Sequence, residues 1–183
     1  MFAAQGEFDA GSLQQGDIVT DVHLLGALSY NEINFSAPAT SQGKIVGWSV
    51  PKEPTIGNAM VISHSCEVAR ENSVKVTSII LAPLRDVSKA TSPAKVKELI
   101  ESNLIDQTGA EASYLKYFYI EPSPLLPYER GAIADFSKVF SVHKSAYEYL
   151  LAAKKLQLDE TTRDSMALKL ALYFHRSQQP TAA

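Results

Sequence analysis

The chain has 183 residues, 45% of them hydrophobic and 20% charged, with a formal net charge of −3 and a single cysteine. That length suits one domain with a sizeable core, and the charge balance supplies no global basic field, so nucleic-acid binding would need a local patch. The lone Cys66 excludes an intrachain disulfide and a CxxC zinc site, and it fits a reducing compartment. Met1 to Leu13 carries Glu7 and Asp9 but neither a basic nor an apolar signal region, and no apolar run approaches the ~18 residues of a membrane helix. The cytoplasm is the expected location, with no membrane partner.

In chain order, residues 1–12 read as a loose leader, and the domain is expected over 13–176. Gly16-Asp17-Ile18-Val19 opens a short apolar run reaching Leu25, the first expected strand. Residues 29–58 are rich in Asn, Pro and Gly, which is turn chemistry interrupted by one candidate strand, Lys44 to Val50. Ala59 to Val68 and Lys75 to Leu84 are continuous apolar runs around a polar turn, 69–73, and predict a hairpin buried on both faces. Ser92-Pro93 supplies an N-cap and a first-turn proline, with Val96, Leu99, Ile100 and Leu104 at helical spacing behind them. Tyr114 to Ile120 is an aromatic strand closed by Pro122, Pro124 and Pro127, and Gly131 to Val142 is further extended structure. Ser145 and Glu148 form a capping-box pattern for a helix running to about Lys155. Asp159 caps a last helix with Met166, Leu170, Ala171 and Phe174 on its apolar face and His175-Arg176 against its C-terminal dipole. Residues 177–183 are expected to be a disordered tail. The expected fold class is α+β, mainly β: a small barrel with one inserted helix and two C-terminal helices.

Four pieces in this order, Gly16-Asp17-Ile18-Val19, Ala59-Met60-Val61-Ile62-Ser63, Ile79-Ile80-Leu81-Ala82-Pro83-Leu84 and Ala134 to Val142, resemble the PemK/MazF-like proteins of bacterial toxin–antitoxin systems. The resemblance implies an SH3-like barrel, a homodimer, RNA as a possible substrate, an antitoxin-like protein partner, and a place in a bacterial or phage conflict system. The catalytic pair expected of ribonuclease members is missing. Gly57, Asn58 and Ala59 stand where the arginine would be, and Arg85-Asp86 stands where the hydroxyl would be, with Ser88 nearby. RNA cleavage needs a base for the 2′-hydroxyl and a donor for the developing phosphorane charge. A displaced catalytic site around His64, Cys66, Glu67 and Arg85 is therefore one reading, and a non-catalytic module binding a protein or nucleotide partner is the other. No cofactor is expected.

Ser63-His64-Ser65-Cys66-Glu67 stands out as a polar cluster at the end of an apolar strand. Strand alternation would place His64 and Cys66 on one face, where an imidazole can draw the thiol proton and leave a nucleophilic thiolate. The competing reading makes Cys66 a small core residue and Glu67 with Arg70 a surface pair. A metal site would need His23, His143 or an acid brought in from elsewhere. Ser63, Ser65 and Arg70 are candidate binding residues. So are Lys116 and Tyr119, which with Tyr114, Tyr117 and Phe118 could form a basic, aromatic platform for stacked bases or simply a strand with rings packed on both sides. Arg163 and Arg176 could reach acidic groups of a partner.

Overall fold

The computed structural model describes residues 1–4, 7–24, 39–41, 44–47, 55–68, 78–87, 92–103 and 115–177. Strands β1 (Ile18–Leu24), β4 (Thr55–Val61), β5 (Ser78–Asp86), β6 (Tyr117–Ile120), β7 (Ala132–Asp135), β8 (Phe140–His143) and β9 (Lys154–Leu156) form one sheet, in the order β6-β7-β5-β4-β1-β9 with β8 also on β5. Its ladders are antiparallel. Strands β2 (Ala39–Ser41) and β3 (Lys44–Gly47) make a separate ribbon. The helices are a single turn, α1 (Ser65–Val68), then α2 (Pro93–Glu101), α3 (Tyr147–Ala153) and α4 (Glu160–Ser177).

Strands β7 and β8 continue one another along one edge of β5. Leu84 pairs with Ala134 and Leu81 with Phe140, so the register slips by the three residues of the 3-10 turn Phe136–Lys138 that joins them. Asp135 caps that turn by accepting from the Ser137 amide. A second irregularity lies in β1, where pairing with β4 shifts between Val19 and Val22 and Asp21 takes a φ of +56°. Aspartate tolerates that left-handed conformation better than a branched residue would.

The central strands are buried on both faces, as their continuous apolar runs predict. On one face Ile18, Met60, Ala82, Leu84, Phe118, Ile120 and Ala134 pack with Met166 of α4. On the other, Val19, Val22, Ala59, Val61, Ile79 and Leu81 pack with Tyr147 and Leu150 of α3 and with Leu13. A third cluster, Val87, Leu99 and Tyr119, lies where α2 covers β6. Each fully buried aliphatic side chain is worth about 1.5–3 kcal/mol, whereas an exposed pair such as Lys97–Glu101 contributes a few tenths. Burial of the sheet, not surface charge, holds the fold.

The α+β class, the inserted helix and the two late helices match the sequence expectation; closure into a barrel does not. Among the described residues no ladder joins β6 to β9. Residues 1–3, expected as part of a loose leader, span that gap instead. Phe2 bridges Leu158, the Ala3 amide donates to Gln157 O at 2.9 Å, and the Glu121 amide at the end of β6 lies 3.2 Å from Met1 Sδ. The other boundary corrections have local causes. The apolar run 59–68 leaves the strand at Val61 and enters the α1 turn. The late capping-box reading fails because His143, not Ser145, caps the 3-10 turn Lys144–Ala146, and α3 then stops at Ala153, where Lys154 turns into β9. Ser92 does cap α2, accepting from the Lys95 amide, and Asp159 accepts from Thr162 at the start of α4. Leu104, Tyr114, Arg70 and the tail from 178 onward lie outside the described residues.

One buried cation ties three of these elements together. Lys169 of α4 is fully buried and donates to Ser102 O at 2.8 Å, Ser102 Oγ at 2.9 Å and Asn103 Oδ1 at 3.4 Å. Asn103 in turn exchanges both amide hydrogen bonds with Tyr119, at 2.9 and 2.7 Å, and so occupies the outer edge of β6 as a neighbouring strand would. Burial lowers the Lys169 ammonium to about 7. Its folded value lies below the ordinary lysine value of about 10.4, so above pH 7 the unfolded chain holds the extra proton. Stability should therefore rise by several kcal/mol as pH climbs from about 7 to about 10, and Lys169→Met should flatten that rise in urea titrations. An unchanged slope in the variant would exclude Lys169 as its source.

Candidate functional site

The loop 9–17 is fixed before it meets any ligand. Gly16 adopts a φ of +87°, a turn open to glycine, with the Leu158 side chain 3.0 Å from where a Cβ would stand. The Gly16 amide donates to Val61 O and the Val61 amide to Asp17 O, both at 2.8 Å, which stitches the turn to β4. Asp17 is fully buried and pairs with Lys154 of β9 at 2.8 Å. The Lys154 ammonium also donates to Asp9 O, Ser12 O and Gln157 Oε1, and it lies 5.0 Å from the Phe8 ring centroid. Burial pushes the Asp17 carboxyl up to about 6, while Lys154 and the Gln14 amide pull the other way.

Beside this loop opens a cleft of about 630 Å³, lined by Gly11 to Gln15, His64, Ser65, Tyr147, Arg163, Asp164 and Ala167. Three consecutive loop residues each hold one lining side chain. The Leu13 amide donates to the Tyr147 hydroxyl at 3.2 Å, Gln14 Oε1 accepts from Arg163, and the Gln15 amide donates to Ser65 Oγ at 3.1 Å. His64 is exposed at the same cleft. Ser63, by contrast, is buried, with its Oγ accepting from the Ile80 amide at 2.8 Å, and serves the β4–β5 junction.

The displaced catalytic site expected from the sequence is not assembled as expected. Because the strand ends at Val61 and Ser65–Val68 is helical, the two-residue alternation that would set His64 beside Cys66 does not apply. The Cys66 and Glu67 side chains, and Arg70 entirely, lie outside the described residues. Arg85 is five residues beyond Ile80 on β5, roughly 16 Å away at the strand rise. Its guanidinium pairs with Asp135 Oδ2 at 3.1 Å; Arg85 is 51% exposed and Asp135 only 1%. Asn58, which stands in the stretch where an arginine was sought, is buried, accepts from the Asp21 amide and donates to the Tyr128 hydroxyl.

Arg85 does meet another part of the expected set. Tyr117 is the register partner of Asp135, and Lys116 holds its ammonium 4.9 Å from the Tyr117 ring centroid. Arg85 shares strand parity with Leu81 and Val87, so it stands on the sheet face that α3 and α2 cover on either side. Tyr119 is not available for stacking: α2 buries its ring, and its hydroxyl donates to Arg130 O at 3.0 Å. The strand's rings thus pack on both sides, leaving Tyr117 half-buried at the margin.

No family model matches the chain, and no curated protein matches it. Among the described residues no group of three His, Cys, Asp or Glu side chains could hold a metal ion, and no helix is long and apolar enough to cross a membrane. Of the residues lining the cleft, the sequence singles out His64 and Ser65, and Arg163 only as a contact for a partner's acidic groups; it gives no signal for Gln14 or Tyr147. Tyr147 lies in the capping-box stretch read as a helix start, and nothing in the spacing links it to residue 13.

Lys154→Met should cost about 3–5 kcal/mol in urea unfolding, because it leaves Asp17 buried and unpaired. The double variant Asp17→Asn/Lys154→Met should recover part of that loss. Equal stability of the single variant and wild type would show that the pair does not hold the loop.

Proposed function

We infer that this chain is a non-catalytic recognition module for single-stranded RNA, and that it binds through the open margin of the β5–β7–β6 face. The observation that carries this reading is the Arg85 guanidinium fixed there by Asp135. A buried Asp135 carboxylate holds Arg85 by one nitrogen, so the remaining guanidinium donors of a half-exposed side chain are pre-positioned for a phosphate. Lys116, just before β6, holds its ammonium over the half-buried Tyr117 ring, and among the described residues no carboxylate pairs with that ammonium. Lys138 is exposed on the adjoining 3-10 turn. Three cations and a tyrosine edge make the local patch that a chain of net charge −3 requires for binding a polyanion.

The division of residues argues against cleavage. A general base at His64 and a phosphorane-stabilising cation at Arg85 would have to act on one phosphate, yet they serve separate surfaces. A kinship with PemK/MazF-like barrels, a homodimeric state and a role in a conflict system are carried by the four sequence pieces alone.

A short fluorescent oligouridylate should bind the purified chain without being cut. Its log affinity should fall with log salt at a slope of about −1.5 to −2, the value for two or three neutralised phosphates on a single strand. Arg85→Lys should weaken binding severalfold, and Lys116→Gln and Tyr117→Leu should do the same. Absence of binding would sink the proposal, and cleavage abolished by His64→Ala would replace it with the nuclease reading.

A further inference from the structure

The cleft beside the loop 9–17 has no part in that RNA-binding face, and its hydrogen-bond bookkeeping points to a ligand of its own. The Tyr147 and Ser65 hydroxyls each accept a backbone N–H from the loop, at 3.2 and 3.1 Å. An accepting hydroxyl keeps its proton for donation, and among the described residues neither proton has an acceptor. Arg163 donates by one nitrogen to Gln14 Oε1, which leaves the rest of its five-donor fork uncommitted by any carboxylate among the described residues. Residues 13, 14 and 15 therefore hold an O–H, a guanidinium and a second O–H in a row, drawn from α3, α4 and α1. These groups line a cleft of about 630 Å³, within the range of small-molecule sites.

We propose that this cleft binds a small molecule carrying an oxyanion, a phosphate or a carboxylate, through Arg163, Ser65 and Tyr147. The site is pre-formed, because the loop that presents it is locked by the Asp17–Lys154 pair and the Gly16 turn rather than by the ligand. The opposite charge in the lining, Asp164, follows Arg163 on α4 and so projects about 100° around the helix from it. It sets a negative rim that confines the anion to the Arg163 side.

The test is titration of the full chain with inorganic phosphate and, separately, with succinate, read by amide chemical shifts and by thermal unfolding. At least one probe should saturate, with shifts concentrated at Gly11, Gln15, Ser65 and Ala167 and a ligand-dependent rise in Tm. Arg163→Gln should weaken binding at least tenfold. Ser65→Ala and Tyr147→Phe should each weaken it severalfold, while Arg163→Lys, which keeps the charge, should lose less. Asp164→Asn should tighten binding, and Lys97→Gln on α2 should change nothing. Saturation by phosphate alone assigns a phosphate ester, by succinate alone a carboxylate, and by both an oxyanion of either kind. No saturation by either probe at about 20 mM, weaker than any affinity a dedicated site would show, overturns the proposal. So does saturation that Arg163→Gln leaves unchanged in a variant whose spectrum remains folded.

Discussion

The Lys154 ammonium is the point on which the arrangement of this molecule turns. It is buried against the Asp17 carboxylate at 2.8 Å and shares its other donors among the carbonyls of Asp9 and Ser12 and the side-chain oxygen of Gln157. A buried charge costs several kcal/mol to desolvate, and neutral dipoles recover that cost only if they stay in place. The loop 9–17 is therefore held by the demands of a cation rather than by apolar packing alone. With the loop fixed, β9 is seated against β1, the cleft has a rigid wall, and its three donors are presented without further ordering.

Lys169 uses the same device on neutral acceptors. It joins α4 to the end of α2 and, through Asn103, to the outer edge of β6. A sheet edge left bare offers unpaired backbone groups to other chains. Here Asn103 covers one such edge, while residues 1–3 lie between the other and the end of β6. The two buried lysines differ in consequence. Lys154 sits against a carboxylate, whereas Lys169 has only neutral acceptors among its contacts in the described residues, and burial lowers its ammonium to about 7.

The two candidate surfaces divide the work along the chain. Arg85 is held by Asp135 of the neighbouring β7, and Lys116, just before β6, lies over the Tyr117 ring, which suits contacts to a phosphate backbone of indefinite length. Ser65, Tyr147 and Arg163 are gathered by a loop around a bounded volume, which suits a compact ligand. A cation can be placed for recognition by a single partner. Acid–base chemistry would need His64 and Arg85 on one reacting group, and the strand between Ile80 and Arg85 keeps them apart.

The elements that local physics controls were legible in the sequence. Continuous apolar runs announced strands buried on both faces, Ser92-Pro93 announced α2, and Asp159 announced the start of α4. Where two local signals competed, the boundary moved. The apolar run through Val68 hid the exit from β4 at Val61, and the run into Lys155 hid the short β9, because a lysine bound for burial looks like a surface lysine in sequence. The candidate site was legible only in pieces, His64 and Ser65 on one side and Arg85 and Lys116 on the other. Which of them share a surface depends on sheet register, on the three-residue slip between β7 and β8, and on contacts between residues more than a hundred positions apart, such as Leu13 with Tyr147 and Gln14 with Arg163. The sequence by itself determined the α+β class of the fold and the start of α2 and α4, whereas β4 begins at Thr55, four residues before the apolar run that signalled it. Only the tertiary structure decided which side chains meet, because hydrophobic periodicity records that a face is buried and carries no record of what buries it.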